Sequence, residues 1–273
     1  YYKGSAVLGM IEHWVGHDEF MGAIRGYLAA HAGGNADADE FLASWQETLG
    51  APAAEVMRSF VEQPGVPIVT AQPSCAGGAG KVTLSQKRFF NAGEKESKAL
   101  WKVPVCLKWS GGQSCTLLDA ATKEVALSGC PTWLMANADA AGYYHVRYDA
   151  ASLAALRPAF ASALTVKERM HLEADVSAEV EQGTLPLGAA LDLLPAFLGD
   201  GDLRVFDRGL ELFGLLNPRE LDDRQEAAYG RAVRKLLGQR ARTVGWTPKP
   251  GEDPEMSYVR PSLLMMMARR AHD

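Results

Sequence analysis

Residues 63–71 read QPGVPIVTA, and the character of the chain changes at this stretch. Pro64-Gly65 is a turn pair, and Pro67 cannot continue a helix because it has no amide hydrogen. The apolar, β-branched run behind Pro67 is typical of a strand. The stretch therefore predicts a boundary between a helical region before it and a β region after it.

Upstream of this boundary, apolar residues recur at the spacing of one helix face. One such stripe begins at Val7 and the next at Phe20, for which Asp18 is the predicted N-cap. Two further stripes follow, and the sequence before the third offers three caps: Asn35, Asp37 and Asp39. Residues 1–65 are thus predicted to form four short helices.

Downstream, residues 66–149 contain seven short segments rich in Val, Thr, Trp and Tyr, separated by Gly, Ser, Asn and Asp. This pattern predicts a small β-sandwich. From 150 to 273 helical patterns alternate with Gly, Pro and Asn breaks, which favours stacked antiparallel helices in an α-solenoid. The predicted fold is multi-domain α+β, with domains at 1–65, 66–149 and 150–273.

Composition excludes some functions. The 273 residues are 47% hydrophobic and 22% charged, and the net charge of −5 gives no sign of a nucleic-acid partner. The basic residues of one helical stretch are interpreted as its solvated face: Arg231, Arg234, Lys235, Arg240 and Arg242. No apolar run approaches the roughly 18 residues that a membrane span needs.

The four cysteines, Cys75, Cys106, Cys115 and Cys130, all lie in the β region. Their spacing contains no C-x-x-C, so a structural zinc site is not predicted. Two interpretations remain: disulfides in an exported protein, or unpaired thiols buried in strands. We favour at least one disulfide and a periplasmic or secreted location, with the cytoplasm as the alternative.

His13 and His17 stand four residues apart, as in the zinc motif H-E-x-x-H. However, Glu12 precedes the first histidine instead of following it, and Gly16 and Asp18 indicate a helix end. No third ligand accompanies the pair in the sequence. We therefore predict no metal ligand and no cofactor-binding residue in this chain.

Seven short motifs follow one another along residues 1 to about 175. Their residues are Tyr1, Lys3 and Gly4; Gly34, Asn35 and Ala36; Gln63, Pro64, Gly65 and Pro67; Gln86, Arg88 and Phe89; Trp101 and Pro104; Asn137, Gly142, Tyr143, Tyr144, Val146, Tyr148 and Asp149; Arg169, Leu172 and Asp175. In order and spacing they resemble the M1 family of zinc aminopeptidases. Three positions depart from the family pattern, at Phe60, Val66 and His145, and none of them is catalytic in the family.

The resemblance implies a role for the tyrosine pair that opens the chain. In this family the tyrosine two residues before Lys-Gly, here Tyr1, donates its hydroxyl to the oxyanion formed when zinc-bound water attacks a peptide carbonyl. Tyr2 holds the variable position. The alternative is that both tyrosines only pack against a core.

The resemblance also implies what surrounds this chain. The family's zinc ligands and the strand that binds the substrate amine lie upstream of the Tyr-x-Lys-Gly motif. We therefore expect a piece of a longer, bacterial zinc aminopeptidase that acts on peptides, and we expect this piece to be inactive alone. The alternative is a non-catalytic relative that serves as a protein-interaction scaffold.

Overall fold

The structure is a computed structural model, and it describes residues 1–90, 93–94, 97–216 and 218–271. The chain divides into two compact units, unit 1 (Tyr1–Leu156) and unit 2 (Arg157–Asp273). The two units differ in secondary structure. Unit 1 contains helices and two small sheets, and the described part of unit 2 is helical. The division of the chain into three domains, the sandwich and the solenoid stay predictions.

Four helices open unit 1, as predicted: α1 (Tyr2–Val15), α2 (His17–Ala30), α3 (Ala38–Leu49) and α4 (Ala51–Val61). The prediction that Asp18 caps α2 is wrong. Gly16 occupies the N-cap with φ 100°, a conformation that glycine adopts without strain, and it allows α2 to begin two residues earlier. Of the three candidate caps for α3, Asp37 is the one used, in a capping box with Glu40.

Seven strands follow in the described part of unit 1: β1 (Pro67–Ala76), β2 (Ala79–Arg88), β3 (Val103–Trp109), β4 (Gly112–Leu118), β5 (Thr122–Leu127), β6 (Leu134–Met135) and β7 (His145–Arg147). They form a four-stranded sheet in the order β5-β2-β1-β7 and a three-stranded sheet in the order β4-β3-β6. Every neighbouring pair is antiparallel except β1 and β7. A short helix, α5 (Ala150–Leu156), closes the unit.

The last two strands are much shorter than their sequence patterns predict, because a turn held by a side chain lies between them. The side-chain oxygen of Asn137 accepts a hydrogen bond from the N–H of Gly142 at 2.8 Å. The side-chain nitrogen of Asn137 donates to the carbonyl of Gly142 at 3.2 Å. The residues between form a 3₁₀ turn in which Asp139 and Ala140 have positive φ. The chain is thereby bent away from the sheet before β7 begins.

A buried glutamine joins strand β2 to the residues around β3 and β4. Gln86 is only 4% exposed. Its amide nitrogen donates to the carbonyls of Trp101 (2.7 Å), Leu118 (3.3 Å) and Ala120 (3.0 Å). Its amide oxygen accepts the N–H of Trp101 at 2.9 Å. One side chain therefore links β2 to the backbone of three other residues.

Two disulfides lie in unit 1, Cys75–Cys130 and Cys106–Cys115, so the predicted cross-linking of this region is confirmed. The first one requires a glycine. A Cβ on Gly80 would lie 1.8 Å from the carbonyl oxygen of Gly129, because residues 129–130 cross directly over β2 at that point. The missing side chain lets Cys130 pass over β2 and reach Cys75 on β1.

The described helices of unit 2 are α6 (Phe160–Ala163), α7 (Val166–Glu181), α8 (Leu187–Leu191), α9 (Leu194–Leu198), α10 (Leu203–Gly214), α11 (Asp223–Val244) and α12 (Met256–Met266), which continues as a π turn to Ala271. Capping boxes begin α7 at Thr165 and α11 at Asp222. The predicted helical region 150–273 ends in His272 and Asp273, which lie outside the described residues. Across the described ranges, no helix combines the length and apolarity needed to cross a membrane.

The interpretation of the basic stretch on α11 as a wholly solvated face is wrong at one position. The Arg240 guanidinium lies 3.8 Å from the ring centroid of Phe206. It also points at the carbonyls of Leu198 and Asp200, at 3.5 and 3.4 Å. Burial lowers the pKa of Arg240, although the Asp200 carboxylate opposes the shift. Arg240 is therefore a half-buried cation that packs on an aromatic ring.

Candidate functional site

Helix α1 carries the tyrosine pair, and its position depends on the residues that follow them. Val7, Met10 and Ile11 anchor the helix in the core of unit 1. The Lys3 ammonium donates to the carbonyl of Gln63 at 2.9 Å, and burial lowers the pKa of this lysine. Two of the sequence motifs, Tyr-x-Lys-Gly and Gln-Pro-Gly-x-Pro, thus meet at one hydrogen bond that fixes the start of α1.

Neither tyrosine packs into a core. Tyr1 is the N-cap residue of α1, where its carbonyl accepts the N–H of Ser5 at 3.0 Å. Tyr1 and Tyr2 are both fully exposed on unit 1. The two rings stand on adjacent residues at the same helix start, which makes them a matched pair for substitution.

The two histidines of the E-H-x-x-x-H stretch lie on different helices. His13 belongs to the last turn of α1, and His17 begins α2, with Gly16 between the helices. His17 shares a hydrogen bond of 2.7 Å with Glu12, whereas Nε2 of His13 lies 4.0 Å from Oδ2 of Asp139. The pair therefore does not form the shared face of an H-E-x-x-H motif.

His13 instead meets two sulfur atoms. Cys106 on β3 is the direct cross-strand partner of Cys115 on β4. The ligand atoms of His13, Cys106 and Cys115 all lie within 4.8 Å of one another. In the described part of the chain this is the one group of three potential metal ligands, and the sequence analysis did not find it. The two sulfurs are joined in a disulfide, so in this state they offer no thiolate to a metal.

This donor set also bears on the zinc ion that the family resemblance implies. A catalytic zinc site combines three protein ligands with an open position for water. The described residues do not provide such a set, because the only candidate group includes the disulfide sulfurs. The residues present here thus do not fit the catalytic zinc, and no step of the reaction is assigned to them through it.

The motif that contains Asn137 holds the backbone in place. The hydroxyl of Tyr144 donates to the carbonyl of Ala136 at 2.8 Å, and a Cβ on Gly142 would overlap the Tyr144 ring at 2.0 Å. Asp149 accepts the N–H of Ser152 at 2.7 Å, and hydrogen bonding from Ser152 lowers the pKa of this carboxyl. These motif residues shape the turn before β7 and cap α5.

The motif on α7 is also built into a core. Leu172 is fully buried, and Asp175 is 1% exposed with its carboxylate 3.5 Å from His171. Arg169 reaches Asp200 with Nε and Oδ2 3.4 Å apart, and its guanidinium lies 5.8 Å from the Phe160 ring. The motif therefore ties α7 to the loop before α10 through a buried ion pair.

Unit 2 also contains carboxyls with perturbed acidity that sequence reasoning missed. Burial raises the pKa of Glu173, while hydrogen bonding from Ser177 opposes the shift. Burial also raises the pKa of Asp207, with a further contribution from the charge of Glu211. No motif indicated these residues, because their acidity depends on the packing of α10 against α7.

Comparison with known proteins identifies the class first. Residues 133–273 match the family described as ERAP1-like C-terminal domain, and residues 1–60 match the peptidase family M1 domain. The chain belongs to the M1 aminopeptidase family.

Two of the three relatives described next carry aminopeptidase names, and the third is named as an interacting factor. Aminopeptidase M1 of Arabidopsis thaliana is 28% identical over 297 residues, which cover 100% of this chain and 33% of the relative. Aminopeptidase 2 of Candida albicans is 27% identical over 253 residues, 90% of this chain and 27% of the relative. Tricorn protease-interacting factor F2 of Thermoplasma acidophilum is 27% identical over 263 residues, 95% of this chain and 31% of the relative.

Two consequences follow from these relatives. The chain spans about a third or less of the length of the relatives it matches. These three come from a plant, a fungus and an archaeon, so they do not support the expectation of a bacterial source.

Proposed function

We propose that this chain is part of a zinc-dependent aminopeptidase that removes N-terminal residues from peptides. The observation that carries the proposal is the match of residues 1–60 to the M1 peptidase domain together with the exposed Tyr1 at the start of α1. The proposed arrangement is a helical end of the catalytic domain, then a β-sandwich, then a helical domain.

Tyr1 is proposed as the oxyanion donor. A phenol is neutral at pH 7 and donates one hydrogen bond from a rigid ring, which suits an oxyanion that forms only in the transition state. The anchoring of α1 through Lys3 and its apolar face supports this role, because it holds the backbone of the tyrosine pair in a defined position. Tyr2 holds the adjacent position and has no proposed role.

Substitution of the two tyrosines in the intact enzyme tests the role. We expect Tyr1→Phe to lower kcat by about 10²–10³-fold, the usual loss for one oxyanion donor, with KM and zinc content nearly unchanged. Tyr2→Phe is the matched control, since it removes a hydroxyl from the neighbouring ring, and we expect near wild-type kcat. If Tyr2→Phe were the damaging change, or if neither changed kcat, the proposed role of Tyr1 would be wrong.

The chain by itself is proposed to be inactive. No set of ligands for a catalytic zinc is available in its described residues, since the sulfurs near His13 form a disulfide. We expect no hydrolysis of aminoacyl chromogenic substrates by the purified chain with stoichiometric zinc, measured against the intact enzyme. Turnover that a chelator abolishes would contradict this.

The disulfides support a proposed location outside the reducing cytoplasm, in the periplasm or the extracellular space.

A second candidate function is a non-catalytic scaffold. The Thermoplasma relative is named as a Tricorn protease-interacting factor, which supports this second candidate. The residues upstream of Tyr1 in the intact protein distinguish the two, because an H-E-x-x-H motif is needed only by the enzyme.

A further inference from the structure

Four elements of unit 1 converge on the Cys106–Cys115 pair. The two cysteines face each other across β3 and β4 with their Cα atoms 4.0 Å apart. Helix α1 and the turn that contains Asp139 both pack on β3, and they bring His13 and Asp139 to the same place. The result is a sulfur, sulfur and imidazole group in which all ligand atoms lie within 4.8 Å of one another.

This spacing suits a tetrahedral metal ion once the sulfurs are separate. Zinc–sulfur bonds of about 2.3 Å and zinc–nitrogen bonds of about 2.0–2.1 Å put neighbouring ligand atoms about 3.5–3.8 Å apart. On reduction the two sulfurs must separate from bonding distance to about 3.8 Å. All three ligand atoms already lie within 4.8 Å of one another. His13 also lies in the last turn of α1, where the helix dipole favours a cation.

We propose that reduction of the Cys106–Cys115 disulfide turns this group into a zinc site with His13, Cys106 and Cys115 as ligands. The reductant is a thiol: two R–SH molecules give up their hydrogens, the S–S bond breaks, and one R–S–S–R and two cysteine thiols result. Zinc then displaces the two thiol protons to solvent and binds both thiolates and the neutral imidazole. Oxidation reverses the sequence and releases the metal.

Accessibility and the neighbouring carboxylate support this proposal. Cys115 is exposed, so a reductant can reach the disulfide, whereas Cys106 is 5% exposed and protects one side of the bound ion. The Asp139 carboxylate lies 4.0 Å from Nε2 of His13. It can orient the imidazole, as carboxylates do at zinc–histidine sites.

The other cysteine pair provides an internal contrast. Cys75 and Cys130 also form a disulfide, but within the described ranges no histidine or carboxylate joins them in a group of three ligands. Reduction of that pair should free two thiols without creating a metal site. The wild-type chain therefore contains both the test pair and its control.

Cobalt(II) binding tests the proposal, because thiolate ligands give cobalt an intense sulfur-to-metal charge-transfer absorption. The purified chain is titrated with cobalt in its oxidised form and after reduction by a phosphine, which binds metals weakly. We expect no such absorption when oxidised and one equivalent bound when reduced, with displacement by zinc. In the same samples, zinc should protect two of the four cysteines from alkylation, and mass spectrometry should identify them as Cys106 and Cys115.

Variants assign the ligands. We expect His13→Ala to weaken cobalt binding at least about tenfold, the loss seen even for outer-shell partners, while His17→Ala leaves it unchanged. Cys75→Ser/Cys130→Ser should keep the absorption, and Cys106→Ser/Cys115→Ser should abolish it, with circular dichroism confirming the fold of each. Failure of the reduced wild-type chain to bind cobalt through sulfur would overturn the proposal. Equal affinity in the His13 and His17 variants would also overturn it.

Discussion

The two units bury polar side chains of opposite character. In the described part of unit 1 the buried polar residues are neutral amides, Gln86 and Asn137. In unit 2 they are charged: Glu168, Glu173, Asp175, Glu179, Asp200 and Arg260. An amide offers a donor and an acceptor at every pH, whereas a buried carboxylate needs a cation, a donor or a proton. The buried polar residues of the β-containing unit should therefore add no pH dependence to its stability, whereas those of the helical unit should.

Substitution of Gln86 tests how much a buried neutral amide contributes to the stability of unit 1. We expect Gln86→Leu to lower the free energy of unfolding of unit 1 by about 3–6 kcal/mol, because it leaves the Trp101 N–H and neighbouring carbonyls buried without partners. Urea denaturation followed by fluorescence measures the change. Gln72→Leu, at an exposed position of β1, is the control. A loss in the Gln86 variant no larger than in the control would mean that the amide does not hold the two segments together.

Substitution of the Arg169–Asp200 ion pair tests how much a buried charged pair contributes to the stability of unit 2. We expect Arg169→Met to destabilise unit 2 by about 2–3 kcal/mol. This is less than the full cost of an unpaired buried charge, since Arg240 remains close to Asp200. Methionine keeps apolar contact with the Phe160 ring. Thermal and urea unfolding measure the loss.

The partner variant completes this test. Arg169→Met with Asp200→Asn should recover most of the lost stability, because the orphan charge is gone. Arg58→Met, which breaks an exposed pair with Asp39 and Glu62, should change little. Additive losses in the double variant would show that the two residues act independently.

Substitution of Glu173 should change the stability of unit 2 least, and the change should depend on pH. Its pKa is raised, so the folded unit holds this proton at pH values where the unfolded chain has lost it. The group therefore contributes full stability below the ordinary glutamate pKa, and that contribution is lost as pH rises through the folded-state pKa. The groups acting on it are Ser177, Arg208, Glu211 and Glu181.

Glu173→Gln removes this titration. We expect the melting temperature of the variant to exceed that of the wild type by a margin that grows from pH 4.5 to pH 8. Glu47→Gln, at an exposed position of α3, should show no such growing margin. A constant difference between Glu173→Gln and the wild type at all pH values would contradict a raised pKa.

The sequence predicted local structure well and residue partnerships poorly. The four opening helices and the seven strand segments follow from apolar periodicity and turn residues, which act over a few neighbours. The Cys106–Cys115 pairing was also within reach of the sequence. A two-residue turn at Ser110-Gly111 places these cysteines directly opposite each other, and the prediction stopped at an unassigned disulfide.

Other features could not be predicted from the sequence and became visible only in the folded structure. The Cys75–Cys130 bridge depends on residues 129–130 crossing over Gly80, and no local pattern indicates such a crossing. The short β6 and β7 were overpredicted because Asn137 diverts the backbone through its side chain. Arg240 looked solvated in its helix but packs on Phe206, since only the packing of α10 and α11 against common neighbours decides which face is covered.

What the sequence determined by itself is the order of elements and the family, because periodicity, caps, turn pairs and ordered motifs are properties of nearby residues. The tertiary structure decided which of those residues meet. It separated His13 from His17 by ending one helix at Val15, and it brought His13 to two cysteines about a hundred residues away. It also buried Glu173, which raises the pKa of that carboxyl, and it placed Asp200 beside Arg169. Contact between distant segments depends on burial and strand register across the whole fold, and neither is encoded in any short stretch.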